Sequence, residues 1–155
     1  MFWRGIAFIS LAATPAAGEI TLDFPLDCTL GDDCFIQQFV DNDPGAGVSD
    51  FLCGNLTYDG HKGTDIALLS LVDQAAGVTV LAAASGTVTG TRNDMADILQ
   101  IGPTAPDVAG RECGNGVVIR HEGGFETQYC HMARGSITVT PGQSVTAGTA
   151  LGQVG

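Results

Sequence analysis

GNGVVIRHEGGFETQYCHM, residues 114–132, contains two runs with strand character separated by a pair of glycines. The runs are rich in β-branched residues or alternate in polarity, and Gly-Gly favours the tight turn of a β-hairpin. Other glycine-punctuated strand signals between residue 78 and residue 155 read VTVLAAA, TVTG, ILQIG, SITVT and TALGQVG. We therefore predict a mostly β protein built from antiparallel sheets, of a barrel or sandwich type.

Composition divides the chain of 155 residues into three parts. Residues 1–18 carry one cation, Arg4, then an apolar run and small residues, which is typical of a secretory signal peptide. The apolar run is shorter than the roughly 20 residues that cross a bilayer, so we predict a secreted or periplasmic protein without a permanent membrane anchor. Residues 19–59, rich in Asp, Gly and Pro, form an irregular segment, and residues 60–155 form the domain.

The charge of the chain restricts its partners. Six Lys and Arg stand against 17 Asp and Glu, which gives a net charge of −11. A surface of that sign repels phosphate backbones, so nucleic-acid binding is disfavoured.

Five cysteines in an exported protein indicate disulfides, since two bridges form readily in an oxidising compartment. Cys28 and Cys34 flank a short loop, and Cys113 and Cys130 flank one apparent hairpin, although sequence alone does not fix the connectivity. We predict the bridge between Cys113 and Cys130, which leaves Cys53 unassigned. A thiolate metal site is the weaker interpretation because the chain has no paired C-x-x-C motif.

The sequence also predicts one long loop and one short helical segment. Residues 90–113, GTRNDMADILQIGPTAPDVAGREC, read as a long surface connection of the kind that often borders a functional cleft. Residues 66–76 are expected to form one or two helical turns.

A histidine and an aspartate four residues apart, His61 and Asp65 in GHKGTDIA, are candidate metal ligands. Both can bind one zinc ion at about 2.0–2.2 Å, but a straight strand would hold them roughly 13 Å apart. The glycines on either side of Lys62 disfavour a helix, so the two side chains converge if the chain bends at Gly63. The spacing alone is more typical of a loop histidine beside a helix or strand cap.

The hairpin carries two histidines. Period-two alternation places Thr127, Tyr129 and His131 on one face, where His131 is a candidate acid, base or oxyanion stabiliser. His121 shares that face if the turn has three residues and lies on the other face if it has two. We expect a structural role for His121, with hydrogen bonds inside the sheet.

Four segments in order resemble the lysostaphin-type (LytM-like) zinc metallopeptidases, which cut peptide cross-links in bacterial cell walls. The segments are GHKGTDIA, VTVLAAASGTVTG, GNGVVIRHEGGFETQYCHM and VTPGQSVTAGTALGQVG. The resemblance implies a Zn²⁺ cofactor held by His61 and Asp65, a catalytic His131, and peptidoglycan cross-bridges as the substrate.

The resemblance is incomplete, because the family closes with a His-x-His strand that supplies another zinc ligand and a second catalytic histidine. Neither is found up to Gly155, so we expect a fragment of a longer reading frame that is inactive by itself, with Leu151 and Val154 at an unpaired edge. The alternative function is a non-catalytic regulatory or wall-binding relative. A lipoyl-type or biotinyl-type carrier is disfavoured, because the one lysine, Lys62, is not on a carrier-type turn.

Overall fold

The computed structural model describes residues 19–103 and 105–155. The predicted signal peptide, residues 1–18, lies outside the described residues. Across the part of the chain that is described, no helix has the length and apolar character needed to cross a membrane.

The described residues form eight strands and one short α-helix, in three antiparallel sheets. In chain order the elements are β1 (Cys34–Gln38), β2 (Asp65–Leu68), α1 (Leu71–Ala76), β3 (Thr79–Leu81), β4 (Gly86–Arg92), β5 (Asn115–Arg120), β6 (Glu126–Met132), β7 (Ser144–Val145) and β8 (Ala150–Gln153). This confirms the predicted mostly β, antiparallel fold.

The central sheet has four strands in the order β6-β5-β4-β7, and β5 and β6 form the predicted hairpin. Two smaller sheets pair β1 with β2 and β3 with β8. The core lies where the central sheet meets the β3–β8 pair, because alternate side chains of the strands point inward. Its largest fully buried apolar members are Val88, Val117, Ile119, Met132 and Leu151.

Three expectations are corrected by the strand assignments. Residues 66–68 belong to β2 because they pair with β1, so the helix begins only at Leu71, after the Ser70 hydroxyl caps it by accepting from the Asp73 amide. The runs ILQIG and SITVT form no strand, and Ser144–Val145, which follows SITVT, pairs with β4 instead. Leu151 is fully buried and β8 pairs with β3, so the expected unpaired edge at Leu151 is wrong.

Both suspected disulfides are present, Cys28–Cys34 and Cys113–Cys130, with Cα atoms 6.2 Å and 4.6 Å apart. Cys53 is exposed and unbonded. The N-terminal segment is irregular, as predicted, apart from β1, which begins at the bridged Cys34. The first bridge therefore ties the strand that pairs with β2, and the second ties β6 to Cys113, two residues before β5.

Candidate metal and catalytic site

His61 and Asp65 lie on either side of the bend before β2 and their side chains converge. The His61 Nε2 atom is 3.3 Å from the Asp65 Oδ1 atom. His61 is buried, with 8% of its surface exposed, whereas Asp65 at the start of β2 is partly open to solvent. The convergence predicted from a bend at Gly63 is therefore found.

The separation of these two atoms fits a shared zinc ion. Two ligands at about 2.0–2.2 Å from zinc, separated by the tetrahedral angle, lie about 3.4 Å apart. A hydrogen bond between an imidazolium and a carboxylate prefers about 2.7–2.9 Å, which is clearly shorter than the observed distance. The spacing of the pair is therefore compatible with two ligands of one ion.

The hydrogen bond made by His61 Nδ1 determines which ring nitrogen is available to bind a metal. His61 Nδ1 lies 2.8 Å from the Phe39 carbonyl oxygen, and because a carbonyl can only accept, Nδ1 is the donor. Nε2 is then the nitrogen that faces Asp65. A ligating histidine that donates its other N–H to a backbone carbonyl is the usual arrangement in metal sites.

His131 lies in a bulge of β6. Asn115 pairs with Met132 and Val117 pairs with Tyr129, so Cys130 and His131 together oppose the single residue Gly116. His131 takes a left-handed backbone conformation, with φ of 55°, which is uncommon for a residue other than glycine. Bulges of this kind re-aim a side chain and are common beside active sites.

The bulge corrects the alternation expected along β6. Thr127 and Tyr129 do share a face, since their hydroxyl oxygens are 3.1 Å apart. Beyond them Met132 takes the buried position and His131 is exposed. Period-two alternation fails here because the extra residue shifts the register by one.

His121 is structural, as expected. The hairpin turns through three residues, Glu122–Gly124, and this register brings His121 Nε2 to 2.8 Å from the Thr127 hydroxyl. His121 Nδ1 donates to the Ser85 carbonyl at 2.9 Å, and the side chain is 6% exposed. Both ring nitrogens are thereby satisfied inside the fold.

His131 borders a cleft of about 560 Å³, a volume typical of ligand sites. The long connection that follows β4 forms one wall and α1 forms part of another, as predicted for a connection that borders a cleft. The lining is mainly apolar and includes Leu71, Met95, Leu99, Val108 and Met132. Asn115 holds this wall in place, because its side chain both accepts from the Met95 amide at 2.8 Å and donates to the Met95 carbonyl at 2.9 Å.

The structure brings His61 and Asp65 together, and among the described residues no third metal-ligating atom converges with them. Over the described ranges, the one group of three converging metal-ligating side chains is Cys28, Asp33 and Cys34. Two of those sulfurs are bonded to each other and offer no thiolate, so that group is not a zinc site. The described residues thus bring together two candidate metal ligands, His61 and Asp65.

Sequence reasoning missed the residues that support the clip. These are Phe39, which contributes a carbonyl, and Asp41, which accepts the Gly60 amide at 2.9 Å. Amides of Ser49 and Gly60, in that order of effect, lower the pKa of Asp41 below its ordinary range. A backbone acceptor leaves no signal in sequence, and Asp41 is indistinguishable there from any turn-forming aspartate.

The described residues form an antiparallel β-protein in which His61 and Asp65 converge and His131 lies on a bulged strand. The family model for Peptidase family M23 matches residues 59–155. The chain therefore belongs to Peptidase family M23, which indicates a peptidase. No curated protein and no solved structure matches the chain.

Proposed function

We propose that the chain is an exported zinc metalloendopeptidase that cleaves peptide cross-links of bacterial peptidoglycan. The observation that carries the proposal is the pair of free ligand atoms, His61 Nε2 and Asp65 Oδ1, 3.3 Å apart. Bound zinc would polarise the scissile carbonyl and activate a water molecule. Because catalytic zinc sites use three protein ligands, we place the third outside the described residues.

In this proposal His131 acts on the substrate and does not hold the metal. Its exposure at the cleft suits a side chain that stabilises the oxyanion or passes a proton to the leaving amine. Its backbone is fixed on both sides: the His131 amide donates to the Cys113 carbonyl, and the Gly155 amide donates to the His131 carbonyl, each at 2.9 Å. A fixed backbone limits the positions that the catalytic ring can adopt.

Substrate recognition in this proposal rests on shape and backbone contacts. The chain is strongly acidic and the bacterial wall is itself anionic, so charge does not attract the two. The cleft beside His131 is large enough to accept a length of peptide.

Measurements of zinc affinity distinguish the proposed metal ligands from the proposed catalytic residue. We expect His61→Ala and Asp65→Ala to weaken zinc binding by about 100-fold, since each removes one of two convergent ligands. His131→Ala is the matched control and should keep the wild-type zinc affinity. Competition with a chromogenic chelator measures all four proteins, and equal affinity in all of them would refute the assignment.

Hydrolysis is measured on the protein as its cell makes it, by release of cross-bridge peptides from purified cell walls. We expect His131→Ala to retain zinc and lose hydrolysis. A wild-type protein that binds zinc through His61 and releases no peptide would favour the regulatory or wall-binding relative. That second function is favoured at present by one observation, that two ligands and not three converge among the described residues.

A further inference from the structure

The side chain of His61 is held by a part of the chain that precedes the family-matched region. The match to Peptidase family M23 begins at residue 59, two residues before His61. The residues that contact the His61 ring and the backbone around it lie at 39–58. The structural support of the metal clip is therefore built by the irregular N-terminal segment.

The Phe39 carbonyl is a fixed acceptor for the ring. It receives His61 Nδ1–H at 2.8 Å and the Thr57 hydroxyl at 2.8 Å. The Phe39 amide in turn donates to the Leu56 carbonyl at 2.8 Å, and the Phe39 ring packs edge-on against Phe51 with centroids 4.8 Å apart. Because the amide, the carbonyl and the ring of Phe39 are all held by contacts, the direction of its carbonyl is set before any metal binds.

Asp41 fixes the backbone on both sides of the His61 Cα atom. One carboxylate oxygen accepts the Gly60 amide at 2.9 Å, and the Asp41 amide donates to the His61 carbonyl at 2.8 Å. The other carboxylate oxygen accepts the Ser49 amide at 3.0 Å and the Asp43 amide at 3.1 Å. One side chain thus joins the loop of residues 41–49 to the peptide that carries His61.

Tyr58 covers one face of the ring. Its ring centroid is 4.3 Å from that of His61, with 25° between the two planes. Stacking of this kind restricts rotation of the imidazole about its χ2 bond. The ring is therefore constrained by a stacked face, a bonded nitrogen and a clamped backbone, which together leave Nε2 facing Asp65.

We propose that Phe39, Asp41 and Tyr58 form the outer shell of the metal clip and that Asp41 is a positioning residue for His61. The inference rests on the proposed function, because it assigns a role toward the zinc that His61 would bind. Outer-shell partners orient the ligand and fix its tautomer, and their loss typically weakens metal binding about 10- to 100-fold. The N-terminal segment and the matched domain then act as one metal-binding unit.

The test compares Asp41→Asn with Asp50→Asn in the full chain. Asp50 is a matched control in the same segment: its carboxylate also accepts three backbone amides, those of Leu52, Gly54 and Leu56, and none of these adjoins His61. We expect Asp41→Asn to weaken zinc binding about tenfold and Asp50→Asn to change the zinc affinity by less than about threefold. Chelator competition measures both affinities, and circular dichroism checks that both variants are folded. Equal zinc affinities in the two variants would overturn the proposal.

A second measurement does not depend on whether either variant folds. Long-range ¹H–¹⁵N spectra of the metal-free wild-type chain report which His61 nitrogen carries the proton, and we expect Nδ1–H. An Nε2–H tautomer would overturn the outer-shell role of the Phe39 carbonyl. The proposed function fails on a different result. It is refuted if His61→Ala binds zinc as tightly as the wild type, whatever the two measurements above show.

Discussion

The two regions that carry the candidate site residues are held in place by different forces. His61 is positioned by polar contacts from irregular chain, namely the Phe39 carbonyl and the Asp41 carboxylate. His131 is positioned by sheet pairing and by a covalent bond, since Cys130 next to it is bridged to Cys113. The first region should therefore be sensitive to acid and to loss of a hydrogen-bond acceptor, and the second to reduction and to steric change in the backbone.

The disulfides give the largest expected effect. Cys113–Cys130 closes a loop with a sequence separation of 17, and Cys28–Cys34 closes one with a separation of 6. The chain-entropy relation then gives about 3 kcal/mol for the longer loop and about 2 kcal/mol for the shorter one. We expect the double replacement of Cys113 and Cys130 by serine to lower the free energy of unfolding more than the same replacement at Cys28 and Cys34, as measured by urea unfolding.

The result of the Cys28–Cys34 replacement tests the contrast between the two regions. If the Cys28–Cys34 replacement costs as much as the other, the region around His61 depends on covalent closure as strongly as the region around His131. Replacement of the unbonded Cys53 by serine is the control and should leave the urea midpoint unchanged.

Steric crowding around the bulge of β6 gives the second-largest expected loss of stability. A Cβ atom added at Gly116 would clash with the Tyr129 carbonyl oxygen in β6 and would lie 3.0 Å from the sulfur of Cys113, which precedes β5. We expect Gly116→Ala to destabilise the protein by about 2 kcal/mol, because the paired backbone has to move. Thermal unfolding measures the loss.

Gly90 in β4 provides the matched control for this variant. A Cβ atom there meets nothing within 4 Å. Gly90→Ala should therefore change the melting temperature little, and a loss as large as that of Gly116→Ala would show that strand composition and not the bulge is responsible.

Acid should act on the polar region. Backbone amides, that of Gly54 first, hold the pKa of Asp50 below its ordinary value of 3.8. Because the folded pKa is lower than the unfolded one, the ionised carboxylate stabilises the fold above pH 3.8, and this contribution is lost as the pH falls through the folded pKa. Asp50→Asn should thus be less stable than the wild type near neutral pH, with a gap that narrows below the ordinary pKa.

Urea midpoints of the wild type and Asp50→Asn across that pH range measure the gap. A gap that stays constant in acid would mean that the Asp50 carboxylate contributes through packing and not through its charge. Gly116→Ala is the comparison from the other region, and its loss of stability should depend on pH much less.

Much of the fold was predictable because its signals are local. Strand runs separated by glycine predicted the β5–β6 hairpin, and proximity along the chain favoured both disulfides. The convergence of His61 and Asp65 also followed from residues only four apart, with a glycine between them. Local steric preferences and short loops act before distant segments meet, so sequence carries this information directly.

Tertiary structure alone decided three features of the candidate site. The three-residue turn that buries His121 was one of two registers compatible with the sequence, and pairing across the hairpin selected it. The bulge that exposes His131 arises where β5 and β6 meet at Gly116, and no alternation pattern predicts an extra residue there. The carbonyl of Phe39 reaches His61 across 22 positions of sequence, and because every residue has a carbonyl, only the folded chain determines which one accepts the ring proton.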